Sequence, residues 1–476
     1  MADRMSKQVG IALAGIGALL LLLIAITHPQ YFSSDKYLAG FLGFECLLIA
    51  VWLYKRVFFP LFIFSFLMAG VDLPMRSVWM IARWIVLGVG AVVGTVIMLR
   101  ERRHRFGAFH ALALFAVLAA MVSAAVSRYS VQSSMKVASL FLLFVYAGTG
   151  VRLAVQGRED RFFAGLLTAC EIFVGVIGAF YLFGKVIMGN PNSLGAVMGV
   201  VAAPTLLWGA LLKQEIFTQR RRAFFFVVAM SLTFFSQARA AMLAAVVSCG
   251  LLCLGLRKYR LLAFGVGIIA MFAASMAILR PEAFSDMVSV STSAVLYKGK
   301  DPSEGIMASR QSPWQDTINV IQKDLWFGTG FGTSDNGYVD SAERGTFVST
   351  TAISTEHGSS YLAIFSWVGV VGVLPFMLLL GTVFRKLTQS MLWMFRTREA
   401  AHAAVPLAIL ALAGLIHAGF EDWLFAPGYY LCAFFWSIVF LMVDHVPSLV
   451  VPDSQRMFVV SNKTVRPDLR TTVPNR

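Results

Sequence analysis

Charge is what this chain has least of. Only 14% of its 476 residues are charged, against 58% hydrophobic, and the mean hydropathy is +0.74. That balance excludes an ordinary soluble globular fold. Strict polar–apolar alternation is missing as well, so the apolar segments are not the strands of a membrane β-barrel. Cysteines outside apolar runs are absent: Cys46, Cys170, Cys249, Cys253 and Cys432 all fall within them. They imply neither a disulfide framework nor a thiolate metal site. Cys249 and Cys253 are four apart on one helix, but no His or carboxylate joins them, and they read as packing residues. No carboxylate cluster has the spacing that would hold Mg²⁺. The chain also lacks an internal repeat of the kind many transporters carry.

What fills it instead is a succession of apolar segments of about 20 residues, the length that spans a bilayer as a helix. They predict an all-α, polytopic membrane protein with about 12–14 transmembrane helices and one large outer loop. The predicted helices lie near 10–27, 38–53, 57–72, 77–98, 108–126, 135–153, 163–184, 191–212, 223–236, 239–256, 261–279, 359–384, 404–420 and 427–445. The first follows Arg4 and Lys7 and has no small-residue cleavage site after it, so it reads as an uncleaved first span. Four regions result: N-terminal membrane helices over 1–279, a polar loop over 280–358, C-terminal membrane helices over 359–445, and a basic, proline-containing tail over 446–476.

The net charge of +15 would suggest nucleic acid in a soluble protein. Its distribution points elsewhere. Lys and Arg collect in alternate loops, at Lys55-Arg56, at 100–105, 152–161, 213–222 and 257–260, and at 385–398. The positive-inside rule then puts both termini in the cytoplasm and the 280–358 loop on the outer face of a bacterial inner membrane, which is the periplasmic side in a Gram-negative cell. Orientation and anionic headgroups account for the basic loops, with no nucleic acid partner.

Reactive residue types gather around that loop. Arg239 stands in Ser236-Gln237-Ala238-Arg239, a tight outward-facing turn between two apolar runs. A charge there faces either a cavity or, by snorkelling, the outer headgroups. Arg83 lies about two turns inside its helix, too deep to snorkel easily, and calls for an ion-pair partner or an anionic ligand. From Trp314 onward, Ile318, Ile321 and Leu325 recur at helical spacing and predict a helix lying on the membrane surface, with Arg310 just before it. Arg310 reads equally as a solvated loop charge or a phosphate contact. Gly328-Thr329-Gly330-Phe331-Gly332 reads more readily as a plain turn than as a phosphate cradle. His357, beside Glu356 where the chain re-enters lipid, has the residue type of a general base at neutral pH or of a helix-capping histidine. Glu421-Asp422, in the short turn between the last two helices, would anchor an arginine, orient a sugar or simply be solvated.

In their order around one outer loop, four stretches resemble the O-antigen ligase and polymerase family of bacterial membrane glycosyltransferases. They are Ser236-Gln237-Ala238-Arg239; the run from Ser309-Arg310 through Trp314 to Trp326-Phe327-Gly328-Thr329-Gly330-Phe331-Gly332; His357-Gly358-Ser359-Ser360-Tyr361-Leu362 followed by Val368-Gly369-Val370-Val371-Gly372; and Phe420-Glu421-Asp422-Trp423-Leu424-Phe425-Ala426-Pro427-Gly428. They cover about the C-terminal half. In the N-terminal half, Gly189-Asn190-Pro191-Asn192 looks like a further family turn.

The resemblance implies transfer of a glycan from a polyprenyl-pyrophosphate-linked donor to a glycan or lipid-linked acceptor. Arg239 and Arg310 would hold the pyrophosphate, and His357 would act at the acceptor. Arg83, Glu421, Ser359, Ser360 and Tyr361 stand as supporting positions. The family pattern has Asn after the histidine where this chain has Gly358, so an acceptor contact is either lost or supplied by Ser359 or Ser360. The chemistry agrees: pyrophosphate is a good leaving group, so positioning and charge stabilisation suffice. Arginine gives bidentate donors to phosphate oxygens, and the expected enzyme is inverting and independent of metal or cofactor. Polymerisation of exopolysaccharide or O-antigen repeat units is the expected activity, with ligation to lipid A core as its near alternative. A lipid-linked oligosaccharide flippase and a noncatalytic scaffold among other polysaccharide assembly proteins are the rivals from other classes.

Overall fold

The computed structural model describes residues 57–71, 76–101, 106–184, 188, 190–263, 308–334 and 357–447, with Thr27, Gly40 and Gly43. The spans expected at 10–27 and 38–53, nearly all of that at 261–279, most of the polar loop, Glu356 and most of the tail lie outside these residues.

The described chain is helical, with no strand among the described residues. Its helices are α1 (Phe58–Gly70), α2 (Arg76–Glu101), α3 (Ala108–Val126), α4 (Ser130–Val155), α5 (Glu159–Leu182), α6 (Pro191–Leu211), α7 (Ile216–Phe235), α8 (Arg239–Gly255), α9 (Ala308–Lys323), α10 (Ser360–Thr397), α11 (Ala404–Ala418) and α12 (Tyr430–His445). Six of them, α2 to α6 and α10, are long and apolar enough to cross a membrane. The protein is an all-α polytopic membrane protein. Val122 and Val176 turn half their surface or nearly so outward, as residues facing lipid do, while α11 and α12 bury almost every residue.

Two helices run further than hydropathy suggested. α10 extends to Thr397 rather than ending near 384, and α7 begins at Ile216 rather than 223. Hydropathy stops at the first charges, but the helical period does not. Leu387, Ser390 and Met394 continue the buried face of α10 beyond Arg385 and Lys386. In α7, Arg222 is buried and paired with Glu171 of α5 at 3.3 Å.

α10 is not one straight rod. Gly369 has φ 63°, which breaks the helix between Val368 and Val370. The segment after α9 docks into that break. Val370 and Val371 donate their N–H groups to the carbonyls of Leu325 and Trp326, and Thr329 and Gly330 donate theirs to Ser366 and Trp367. A helix interrupted by one residue leaves backbone groups unsatisfied, and this loop satisfies four of them. A Cβ on Gly369 would stand 2.4 Å from the Trp326 carbonyl oxygen, so only glycine fits.

Candidate active site

The docked loop also seats against the α3–α4 hairpin. Ser123 donates to the carbonyls of Phe327 and Trp367, Ser127 to that of Thr329, and Ser133 to that of Phe331. The Gly328-Gly332 stretch is therefore a structural turn. Two of its amides are bound to α10, which leaves no phosphate cradle of the kind weighed from the sequence. Lys136 of α4 donates to the Gly332 carbonyl at the same seam.

α9 begins at Ala308, so Arg310 belongs to its first turn rather than preceding it. Ile318 and Leu325 are exposed. The face turned inward carries Thr317, 3% exposed, and Trp314, whose indole N–H donates to the Gly358 carbonyl at 3.0 Å. Polar contacts with the start of α10, rather than the apolar stripe, set which side of α9 faces the protein. Gly358 has φ 66°, and a Cβ there would meet the Trp314 ring at 3.1 Å. Asparagine is the residue that next best tolerates this conformation, which is a conformational reason for either residue after the histidine.

His357 is 2% exposed, and both ring nitrogens are engaged. Trp367 donates its indole N–H to Nε2 at 3.1 Å, so Nε2 carries the lone pair. The proton is then on Nδ1, 3.1 Å from the Thr317 hydroxyl oxygen, and the Thr317 hydroxyl donates onward to the Pro313 carbonyl at 2.7 Å. Ser334 places its hydroxyl 3.1 Å from Nε2. The backbone N–H of His357 donates to Asp422 at 3.0 Å. Burial pulls the imidazole below its ordinary range; Asp422 opposes that shift and Lys136 adds to it. The wiring fixes one tautomer and presents a basic nitrogen at Ser334.

Arg310 forms an ion pair with Glu421. Arg239 opens α8 after a turn with Gln237 at φ 54°, and its guanidinium lies within Coulombic reach of Arg310. Glu421 adjoins Asp422, so Arg310 and His357 both meet one turn, 420–424. Ser360 braces it: its hydroxyl donates to the Glu421 carbonyl at 2.6 Å and accepts the Leu424 N–H at 3.0 Å. Tyr361 donates to the Leu415 carbonyl, and Ser359 is buried at the N-cap of α10. These three hold the site's frame and are not among the residues lining the cavity described next.

That cavity, of about 1040 Å³, adjoins His357. Ser334, His357, Trp367, Glu421 and Asp422 line it, together with Arg83, Lys136, Asn190, Asn192 and His417. Arg83 donates to the Gly428 carbonyl at 2.6 Å, with its guanidinium carbon 5.0 Å from the Trp84 ring centre. It makes no ion pair with a described residue, so the structural ion pair weighed for it is not found there. Asn190 caps α6 by accepting the Asn192 N–H at 2.8 Å, with Pro191 in the first turn, which explains the 190–192 stretch locally; Gly189 lies outside the described residues.

Residues 224–377 match the O-antigen ligase family. Over that stretch the chain is similar to the family. The matched span runs from α7 to the first turns of α10 beyond Gly369, and so takes in Arg239, Arg310 and His357. No curated protein matches the chain. The match suggests a glycosyltransferase-like enzyme acting on lipid-linked glycans in polysaccharide assembly.

Sequence reading missed Thr317, Ser334, Trp367, Lys136 and His417. Lys136 and His417 each interrupt an apolar helix, and the rule that singled out Arg83 would have found them. Ser334 and Trp367 carried no such signal, because their place depends on a break in α10 that hydropathy does not reveal.

Proposed function

We propose that the protein transfers a glycan from a polyprenyl pyrophosphate to an acceptor hydroxyl, polymerising exopolysaccharide or O-antigen repeat units at the outer face of the bacterial inner membrane. The observation that carries this reading is the neutral, single-tautomer His357 standing at the same turn as the Arg310–Glu421 pair. The acceptor oxygen attacks the anomeric carbon, and the bond from that carbon to the pyrophosphate oxygen breaks. Its electron pair leaves with the pyrophosphate, whose growing charge Arg239 and Arg310 meet. The acceptor proton passes through Ser334 to Nε2 of His357. Attack opposite the leaving group inverts the anomeric centre. Two guanidiniums supply the charge that a metal ion would otherwise supply. The distribution of Lys and Arg among the loops supports the outer-face assignment.

The test is polymer production in cells lacking this protein, complemented with wild type, His357→Ala or Arg310→Ala, with membrane levels compared. Loss of polymer at normal protein levels, with lipid-linked single repeats accumulating, is expected. Normal polymer from both variants would remove the assignment. The matched family's description favours ligation as the second reading; transfer to lipid A core in vitro would select it over polymerisation.

A further inference from the structure

Arg83 and Lys136 line the cavity from α2 and α4, and their hydrogen bonds among the described residues go to backbone carbonyls, of Gly428 and Gly332. Neither makes an ion pair with a described residue. The Arg83 Nε is buried without a hydrogen-bond partner among the described residues. The cavity's acids are engaged elsewhere, Glu421 by Arg310 and Asp422 by the His357 backbone. A third donor points the same way. His417 is 4% exposed and accepts the Trp423 indole N–H on Nδ1 at 2.7 Å, so its proton is on Nε2, which has no hydrogen bond among the described residues. Cations at helix depth are costly and mark ligand sites when no protein anion pairs them. The volume of about 1040 Å³ accommodates a sugar phosphate.

Arg239 and Arg310 are not among the residues lining this cavity, though Arg310 pairs with Glu421 in its lining. We propose that Arg83 and Lys136, with His417 as a neutral donor, form a second anion site that holds a phosphate group carried by the acceptor. This rests on the glycosyl-transfer reading, in which His357 divides donor from acceptor. A neutral glycan acceptor would need no cation. The phosphate belongs either to a second polyprenyl pyrophosphate or to a phosphorylated sugar.

Binding to the purified full chain in detergent decides it, because it needs no turnover. Farnesyl pyrophosphate is titrated and its stoichiometry read by calorimetry, with glucose 6-phosphate as the lipid-free arm. Two farnesyl pyrophosphates per wild-type chain are expected. Arg83→Gln/Lys136→Gln keeps the site at Arg239 and Arg310 and loses the other, its affinity falling at least tenfold. Arg239→Gln/Arg310→Gln does the reverse. A second site that takes glucose 6-phosphate and refuses farnesyl pyrophosphate would identify the acceptor as a phosphorylated sugar, and the proposal stands. One site in wild type, kept by the Arg83/Lys136 variant, or none at all, overturns the proposal. A single site lost with Arg83 and Lys136 but kept without Arg239 and Arg310 sinks the donor assignment instead. Should the double variant fail to fold, Lys136→Met is read for the same tenfold loss.

Discussion

At the residue scale, His357 depends on its neighbours for its protonation state. Trp367 donates to Nε2 and thereby favours the neutral ring, in the same direction as burial. Activity should therefore hold steady at neutral pH and fall only as pH drops through a value below about 6.5, the ordinary imidazole pKa. Trp367→Phe keeps the ring and deletes the donor. It should move that acid limb upward in pH, as a rate–pH profile on membranes would reveal; an unmoved limb would mean that Trp367 does not tune His357. Because the folded pKa is depressed, the same linkage gives stability that is present above about pH 6.5 and lost as pH falls through the lower folded value. Ser334 carries a separate prediction. If the acceptor proton travels through its hydroxyl, Ser334→Ala should slow turnover by something near the lower end of the ~10²–10⁴-fold range for general base catalysis, while His357→Ala takes the larger share. Turnover by Ser334→Ala equal to wild type would mean that the acceptor reaches Nε2 directly.

At the scale of elements, the break in α10 is what brings Trp367 and Ser334 to one histidine. Four backbone hydrogen bonds across Gly369 tie the 325–330 segment to the helix, and Ser123, Ser127 and Ser133 hold that segment from the other side. Gly369→Ala would force a side chain into a left-handed position and against the Trp326 carbonyl at 2.4 Å. The strain of a non-glycine residue there is about 1–3 kcal/mol before the clash is counted. The expected result is a lowered unfolding temperature together with lost activity, whereas Gly381→Ala, where a Cβ meets nothing within 4 Å, should match wild type in both. This element also marks where sequence reading stopped. The helices from 57 to 256 and from 359 to 445 were legible because apolar length alone signals a span. Arg310 and His357 stood out as polar residues beside lipid. The docking of a loop into a broken helix was not legible, because it is written in hydrogen bonds between segments about 40 residues apart in sequence. α9 shows the same limit: Ile318 and Leu325 gave its period, but Thr317, unremarkable in sequence, faces the site.

At the scale of the whole molecule, two parts of the helix bundle differ in how their charges are met. In the part that holds His357, Arg83 and Lys136 make no ion pair with a described residue. Elsewhere in the bundle, charges are paired: Arg152 of α4 with Asp444 of α12, and Glu171 of α5 with Arg222 and Arg221 of α7. Arg222 and Glu171 have side chains 8% and 9% exposed, and Arg222 also reaches the Gly209 carbonyl of α6. Removing one member of such a pair leaves the other charge buried alone, at a typical cost of about 3–5 kcal/mol. Glu171→Gln should therefore reduce the amount of folded protein and its melting temperature. Turnover per folded molecule should be unchanged, because Glu171 pairs with Arg221 and Arg222 and is not among the residues lining the cavity. Glu421→Gln removes a carboxylate of similar chemistry from Arg310, and there the loss should appear in turnover of the folded fraction as well. Measuring both variants for thermal unfolding and for polymer formed per folded molecule separates the two parts. Equal per-molecule turnover in both would mean that the Arg310–Glu421 pair is a clasp like the others and not part of the chemistry.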